Sequence, residues 1–380
     1  MFVPRSNRVD AELAPPARAV LVTALLYLFL VGVGLLESGI AALGAGFQEG
    51  LLDTVSNPLA GLFAGILATV LVQSSSVSTA TIVGLVGAGS LTLPAAVPMI
   101  LGANIGTTVT STLAALGSVR RTEEFKRAFA GATMHDVFNL IAVALLLPLE
   151  LATGFLSRSA VWLTGILRGT EAATPGRSPI RRAVSFPIDA IEGIVDPSGT
   201  GGLLAGLLFL GLGLGAIFLA LGSITRNMRK LVRGGIERAM NRVIGKGGGS
   251  AGLLVGAMVT VAVQSSTITT AILVPLVAAG ILTLRNAYPI TLGANVGTTI
   301  TALLASLAVL QPEGLAIALV HTLFNLSALL LLFPVPVVRD IPVKLAERLA
   351  AAATENRVII VVYVVGLFLV IPTLGVILLD

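Results

Sequence analysis

Apolar residues along this chain are gathered into long runs, separated by short stretches rich in Arg, Gly and Pro. A helix needs about 20 apolar residues to cross the hydrocarbon core of a bilayer. Runs of that kind fall at roughly 19–47, 94–117, 129–149, 200–223, 287–310, 314–333 and 358–379, and each predicts a spanning helix. Two further apolar segments resist that reading. Residues 57–93 carry Gln73-Ser74-Ser75-Ser76 at their centre, and residues 250–284 carry Gln264-Ser265-Ser266-Thr267. The polar tetrapeptide splits each segment into halves of about 15 residues, too short to cross. Each is predicted to be a re-entrant hairpin that enters and leaves by one face, with its tip near mid-membrane. Irregular backbone at that depth is tolerated only where it is buried in protein or lines a cavity.

Composition supports a bilayer. Of 380 residues, 55% are hydrophobic and 11% charged, and mean hydropathy is +0.98; a soluble domain carries about 25% charged residues. The absence of Cys excludes disulfides, thiolate metal sites and Cys nucleophiles, and two His make an imidazole metal centre a poor fit. A net charge of +5 does not imply nucleic acid, because the basic residues stand between apolar spans, where Lys and Arg mark the cytoplasmic side. Arg120, Arg121, Lys126 and Arg127 form one such cluster. Arg226, Arg229, Lys230, Arg233, Arg238, Arg242 and Lys246 form another. Residues 1–18, with Arg5, Arg8 and Arg18, are also expected inside. The run from Ala19 to Leu36 is too long for a signal-peptide core. Residues 150–199 then form an interfacial or extracytoplasmic connection, despite Arg168, Arg177, Arg181 and Arg182. Residues 337–357 read as an interfacial helix and 358–380 as a C-terminal spanning helix.

An internal repeat orders these segments. Gln73–Leu116 aligns without gaps on Gln264–Leu307, with roughly 26 of 44 positions identical. Residues 101–110 (LGANIGTTVT) face 292–301 (LGANVGTTIT), and after a short deletion His135-Asp136-Val137-Phe138-Asn139 faces His321-Thr322-Leu323-Phe324-Asn325. A solenoid needs three or more units; two long copies predict a pseudo-symmetric pair, residues 19–149 and 200–336. By the charge rule the first hairpin enters from outside and the second from inside, so the copies are expected to be inverted. Inverted repeats with broken helices at the midplane are the architecture of secondary transporters. The expected fold is thus an all-α polytopic membrane protein, each inverted repeat holding a re-entrant hairpin and a broken spanning helix.

The chemistry follows from the tips. Each offers an amide, three hydroxyls and the free N–H groups of a helix start, where about half a positive charge resides. Two such ends converging make an anion site without Lys or Arg; plain helix capping by Ser and Thr is the competing reading. Asn104, Thr107, Thr108, Asn295, Thr298 and Thr299 supply side-chain oxygens beside Gly102, Gly106, Gly293 and Gly297, whose unwinding would expose carbonyls. Hard cations such as sodium take oxygen ligands of this kind, while close helix packing through the glycines is the alternative. Ionisable groups inside spans are few: Glu37, His135, Asp136 and His321. The His pair reads as structural, Asp136 as a cap or pairing group, and Glu37 as interfacial or as part of a pathway.

At QSSS, GANIGTT and HDVFN, paired with QSST, GANVGTT and HTLFN, the chain resembles the type II sodium/phosphate cotransporter family and its bacterial relatives. The resemblance implies phosphate contact at Gln73, Ser74, Ser75 and Ser76 and at Gln264, Ser265, Ser266 and Thr267. It implies sodium ions beside them, at the Asn and Thr oxygens above with Ser76 and Thr267. Thr79, Thr270, Asn139 and Asn325 are expected to support the site. The implied activity is sodium-coupled symport of inorganic phosphate by alternating access in the cell (plasma) membrane, with no cofactor beyond the coupling sodium and no enzymatic step. An oligomer is compatible with this reading. Many bacterial relatives append a soluble regulatory domain; the chain stops at Asp380, so that domain is expected to be absent. Seven spans put the C-terminus outside, whereas the mammalian proteins resemble an inside–inside arrangement; either residues 337–357 cross or the last helix is an addition. A sodium-coupled carrier of sulfate or a carboxylate is the nearest alternative, followed by an anion channel. An intramembrane enzyme is disfavoured, since no HExxH, GxSxG or paired acidic motif stands in a span.

Overall fold

The computed structural model describes residues 15–168, 179–197, 199–244, 249–309 and 311–379, and among these no strand occurs. Arg5, Arg8, Arg177 and Lys246 of the expected charge clusters lie outside the described residues. So do the side chains of Arg168, Arg181, Arg229, Lys230, Arg233, Arg238 and Arg242. The chain opens with α1 (Pro15–Leu43) and α2 (Ala45–Thr54). The first span therefore ends before residue 47, because Gly44 at φ +82° turns the chain. Two short helices follow, α3 (Pro58–Val72) and α4 (Ser75–Gly87), then α5 (Leu93–Gly106), α6 (Val109–Ala115) and the long α7 (Thr122–Thr153). The connection contains α8 (Phe155–Arg168) and α9 (Pro179–Val195). The second copy comprises α10 (Leu203–Ile244), α11 (Gly249–Val263), α12 (Ser266–Ala278), α13 (Leu284–Ala305) and α14 (Pro312–Leu332). It is followed by α15 (Pro336–Glu355), α16 (Val358–Val365) and α17 (Ile371–Leu379).

Six helical stretches among the described residues are long and apolar enough to cross a membrane: 16–43, 93–118, 122–153, 203–228, 312–332 and 358–379. The expected seventh, at 287–310, is occupied by α13. That helix is long enough, but its Asn, Thr and Gly residues keep it out of this class. α3, α4, α11 and α12 have 13 to 15 residues, about 22 Å at most, short of a 30 Å core. The predicted break in the GANxGTT helix occurs in one copy and not the other. In the first, Thr107 and Thr108 separate α5 from α6, and Thr108 N–H donates to the Ile105 carbonyl, a tight 3₁₀-type step. The Thr112 hydroxyl donates to the Thr108 carbonyl there, competing with the backbone ladder. The second copy has Leu303 at that place, and α13 runs on unbroken.

Glycines set the helix crossings. A Cβ on Gly65 would collide with the Met99 carbonyl and one on Gly102 with the Leu62 carbonyl, so α3 and α5 lie backbone to backbone. The second copy reproduces this: Gly256 meets the Ile290 carbonyl and Gly293 the Leu253 carbonyl, between α11 and α13. Packing, the competing reading of these glycines, is what the structure displays, in the close-approach manner of small residues between membrane helices. α1 and α10 are likewise joined through Gly32 against Gly213 and Gly39 against Gly206, pairings that make the two helices antiparallel.

Between the copies the packing is crossed. α4 rests on α13 and α14, while α12 rests on α6 and α7. One apolar core therefore runs through both copies and includes Val77 and Val83 of the first and Ile317 and Phe324 of the second. In the connection, the buried Glu150 carboxylate accepts from Leu156 N–H at 2.6 Å and caps α8, whereas α9 covers α1 through Val184 and Ile188. α15 lies along α7.

Candidate functional site

The two tips are built alike. Gln73 ends α3 at φ 55° and Gln264 ends α11 at φ 57°; among the described residues these are the only non-glycine residues with positive φ. The left-handed turn ends one helix and redirects the chain, so that the next helix starts two residues later. Each glutamine amide is held at both ends. Gln73 Nε2 donates to the Val70 carbonyl (2.5 Å) and Oε1 accepts from Thr110 Oγ1 (2.8 Å). Gln264 Nε2 donates to the Val261 carbonyl (2.6 Å) and Oε1 accepts from Thr301 Oγ1 (2.9 Å). Ser74 caps α4 by accepting from Val77 N–H at 3.4 Å. Ser265 stands at the same place before α12 and makes no such bond. The capping reading thus describes one tip and not the other.

The tips meet. Ser76 Oγ donates to the Gln264 carbonyl at 3.4 Å, across 188 residues of chain. One turn further on, Ser111 Oγ donates to Thr270 Oγ1 at 2.7 Å and ties α6 to α12. Ser75, Ser76, Gln264 and Ser266 are buried, Ser74, Ser265 and Thr267 are half-buried, and Gln73 is exposed. The burial is lopsided: the Gln264–Thr301 pair is closed over and the Gln73–Thr110 pair is open.

Beneath the tips the expected cation ligands fall into two groups. The threonines turn their hydroxyl hydrogens into their own helices: Thr107 to Ala103, Thr108 to Ile105, Thr298 to Ala294 and Thr299 to Val296. An oxygen that has given its hydrogen away keeps lone pairs for another partner. The asparagines are engaged with one another. Asn295 Nδ2 donates to Asn139 Oδ1 and to Asn325 Oδ1, Asn139 Nδ2 donates to the Asn104 carbonyl, and Asn325 Nδ2 to the Asn295 carbonyl. His321 Nε2 lies 3.3 Å from Asn104 Oδ1. His135 sits against Asn295, with its Nε2 buried. Asn139 and Asn325 therefore bridge helix to helix and, through Asn139 and Asn295, copy to copy. Thr79 is fully buried and donates to the Ser76 carbonyl.

Sequence reading missed the partners of the tips. Thr110, Thr301 and Ser111 were legible as members of the repeat, but nothing in their spacing says that they reach the hairpins. It also missed how far the repeat extends: Ala60, Gly61, Leu62, Gly65 and Thr69 recur at 251, 252, 253, 256 and 260. Glu37 lines a separate cavity of about 630 Å³ with Asp189, Glu192 and Asp196, which none of the tip residues reaches. Among the described residues no cluster of three or more His, Asp or Glu forms a metal site, and the candidate cation ligands are neutral oxygens.

Comparison with known proteins covers this architecture. The sequence model of a family described as Na+/Pi-cotransporter matches residues 28–160 and 216–335, which contain both hairpins and both GANxGTT helices. The sodium-dependent phosphate transport protein 2A of Ovis aries is 33% identical over 93% of this chain and 66% of its own length. The protein of the same name from Rattus norvegicus is 33% identical over 92% of the chain and 66% of its own length. The sodium-dependent phosphate transport protein 2B of Homo sapiens is 31% identical over 93% of the chain and 64% of its own length. The chain thus spans about two thirds of the length of these relatives. No solved structure matches it.

Proposed function

The chain belongs to the Na+/Pi-cotransporter family, and from that membership we propose that it is a sodium-driven symporter of inorganic phosphate in the cell (plasma) membrane. The observation that carries this reading is the contact of Ser76 with the Gln264 carbonyl. It joins two polar turns, each at the start of a short helix, inside an apolar body and without Lys or Arg. Phosphate is placed between the tips, against the hydroxyls of Ser74, Ser75, Ser76, Ser265, Ser266 and Thr267 and the amides of Gln73 and Gln264. Helix N-termini supply positive potential there. Sodium is placed beneath, on the hydroxyl oxygens of Thr107, Thr108, Thr298 and Thr299 with Ser76 and Thr267. The asparagine network supports this floor, and Thr79 and Thr270 hold the tips to it. Cation binding next to the anion lowers the cost of desolvating both, which couples the two.

Alternating access fits three features. The antiparallel α1–α10 contact supports an inverted relation of the copies. The hairpin helices are too short to cross, which supports re-entry. The open Gln73–Thr110 pair beside the closed Gln264–Thr301 pair is what one end state of a two-sided carrier would display. Uptake of labelled phosphate into proteoliposomes tests the reading. We expect it to need an inward sodium gradient and to fall at least about tenfold in Ser75→Ala, which removes one hydroxyl from the anion; phosphate uptake indifferent to sodium, or stronger competition by sulfate than by phosphate, would overturn it.

A further inference from the structure

On the face that the charge rule makes cytoplasmic, α7 and α15 enclose a cavity of about 560 Å³ that none of the tip residues reaches. The two helices line it in the same way. Glu123, Lys126, Arg127 and Ala130 stand at i, i+3, i+4 and i+7 along α7, and Lys344, Glu347, Arg348 and Ala351 repeat that spacing along α15. Residues so spaced share one face of a helix. The two alanines, small at these places, leave the room. Four cations converge there with two carboxylates, a net charge of +2. Glu123 lies three and four residues from Lys126 and Arg127, and Lys344 three from Glu347, spacings at which ion pairs form. None of these six makes an ion pair among the described residues, whereas Arg121–Glu124 at 2.9 Å and Arg285–Asp340 at 3.0 Å do pair close by. The cavity therefore gathers basic groups whose donors no carboxylate of this chain takes up.

We propose that this cavity binds the phosphate group of an anionic phospholipid from the surrounding bilayer, a second anion site apart from the one between the tips. The fork of N–H donors on a guanidinium matches phosphate oxygens, and basic pockets between membrane helices on the cytoplasmic side suit such headgroups. What adjoins the charges favours a lipid over a soluble anion. Val337, Ile341 and Leu345 expose apolar side chains at four-residue spacing on α15, just ahead of Arg348. One helix thus offers a surface to an acyl chain and then cations to a headgroup. The position in the fold gives occupancy a consequence. Arg127 Nε donates at 2.9 Å to the carbonyl of Ala278, the last residue of α12. Leu284, the first residue of α13, lines the cavity. A headgroup held between α7 and α15 therefore braces the segment that joins the second hairpin to α13.

Binding is read without transport, so loss of this site leaves the symport reading standing. Native mass spectrometry of the full chain in detergent compares retention of phosphatidylglycerol and phosphatidylcholine. It is applied to wild type, to Lys126→Gln with Arg348→Gln, and to Arg120→Gln with Arg121→Gln, an equal change of charge outside the cavity. All four side chains are exposed, so neither pair of substitutions disturbs the core. Wild type should retain one phosphatidylglycerol at least about tenfold more strongly than phosphatidylcholine. K126Q/R348Q should lose that preference and R120Q/R121Q should keep it. Equal retention of the two lipids by wild type overturns the site. Equal loss in the two variants overturns it in favour of diffuse surface charge, and displacement of the lipid by millimolar inorganic phosphate overturns it in favour of a soluble anion. Uptake of labelled phosphate into phosphatidylcholine vesicles with and without phosphatidylglycerol tests the brace. The wild-type rate should change several-fold between the two compositions and that of K126Q/R348Q should not; the same response in both overturns the brace.

Discussion

At the scale of single residues, the two glutamines carry a conformational cost that their side chains must offset. A left-handed backbone costs a residue other than glycine about 1–2 kcal/mol, and glycine is the usual occupant where a helix ends in this way. Each side chain returns two hydrogen bonds, each contributing about 0.5–1.5 kcal/mol net. For exposed Gln73 the two sides nearly cancel, so Gln73→Gly should leave the melting temperature almost unchanged. For buried Gln264 the same change strands the Thr301 hydroxyl, a penalty of about 1–3 kcal/mol, and Gln264→Gly should melt several degrees lower. Both variants should lose phosphate uptake by at least about tenfold, since the tip amide is gone; uptake at wild-type rates in Gln73→Gly would show that the amide serves only the turn. The composition of the tips was legible in the sequence, because QSSS and QSST interrupt apolar runs that nothing else explains. Their left-handed backbone was not, since glutamine is not a residue that announces positive φ.

Helices and hairpins show where sequence periodicity suffices and where it fails. The short pairs α3–α4 and α11–α12 were readable from length alone, because a polar tetrapeptide halves a span. The continuity of α13 was not. The glycines that predict unwinding instead meet a neighbouring carbonyl, and whether a glycine bends its own helix or admits another depends on packing that lies outside its own segment. A side chain at Gly102 or Gly293 would have to push two helices apart. Overpacking of this kind costs about 1–3 kcal/mol and occasionally more, so Gly102→Val should lower the melting temperature in detergent, whereas Gly117→Ala, with open space around its Cβ position, should not. Equal stability of the two variants would remove the close crossing from α3–α5. The connection over residues 150–199 holds two helices, α8 and α9, with Pro179 at the first helical position of α9, where proline is tolerated.

For the molecule as a whole, the crossed packing makes each copy incomplete alone. α4 packs on α13 and α14 as well as on α5, and α12 on α6 and α7 as well as on α13, so each hairpin is seated by both copies. A chain divided between α8 and α9 should therefore give two fragments that aggregate or are degraded when produced singly. Produced together they should form a complex that elutes as one species in detergent and takes up phosphate. A first fragment that is monodisperse by itself would contradict the interlocked core. The doubling of the architecture was visible in the aligned motifs. That each hairpin also packs on the other copy was not, because a repeat records likeness and is silent about contact.

This packing across the copies has a consequence for how the protein is made. A ribosome adds about 5–20 residues per second, so roughly 10–50 s pass between the emergence of α4, ending at Gly87, and that of α14, ending at Leu332. Throughout that interval Ser76 lacks the Gln264 carbonyl to which it donates. Unpaired polar groups cost several kcal/mol each in hydrocarbon. The early hairpin must therefore wait at the bilayer surface or within the insertion machinery, and enter only when the late half arrives to receive it.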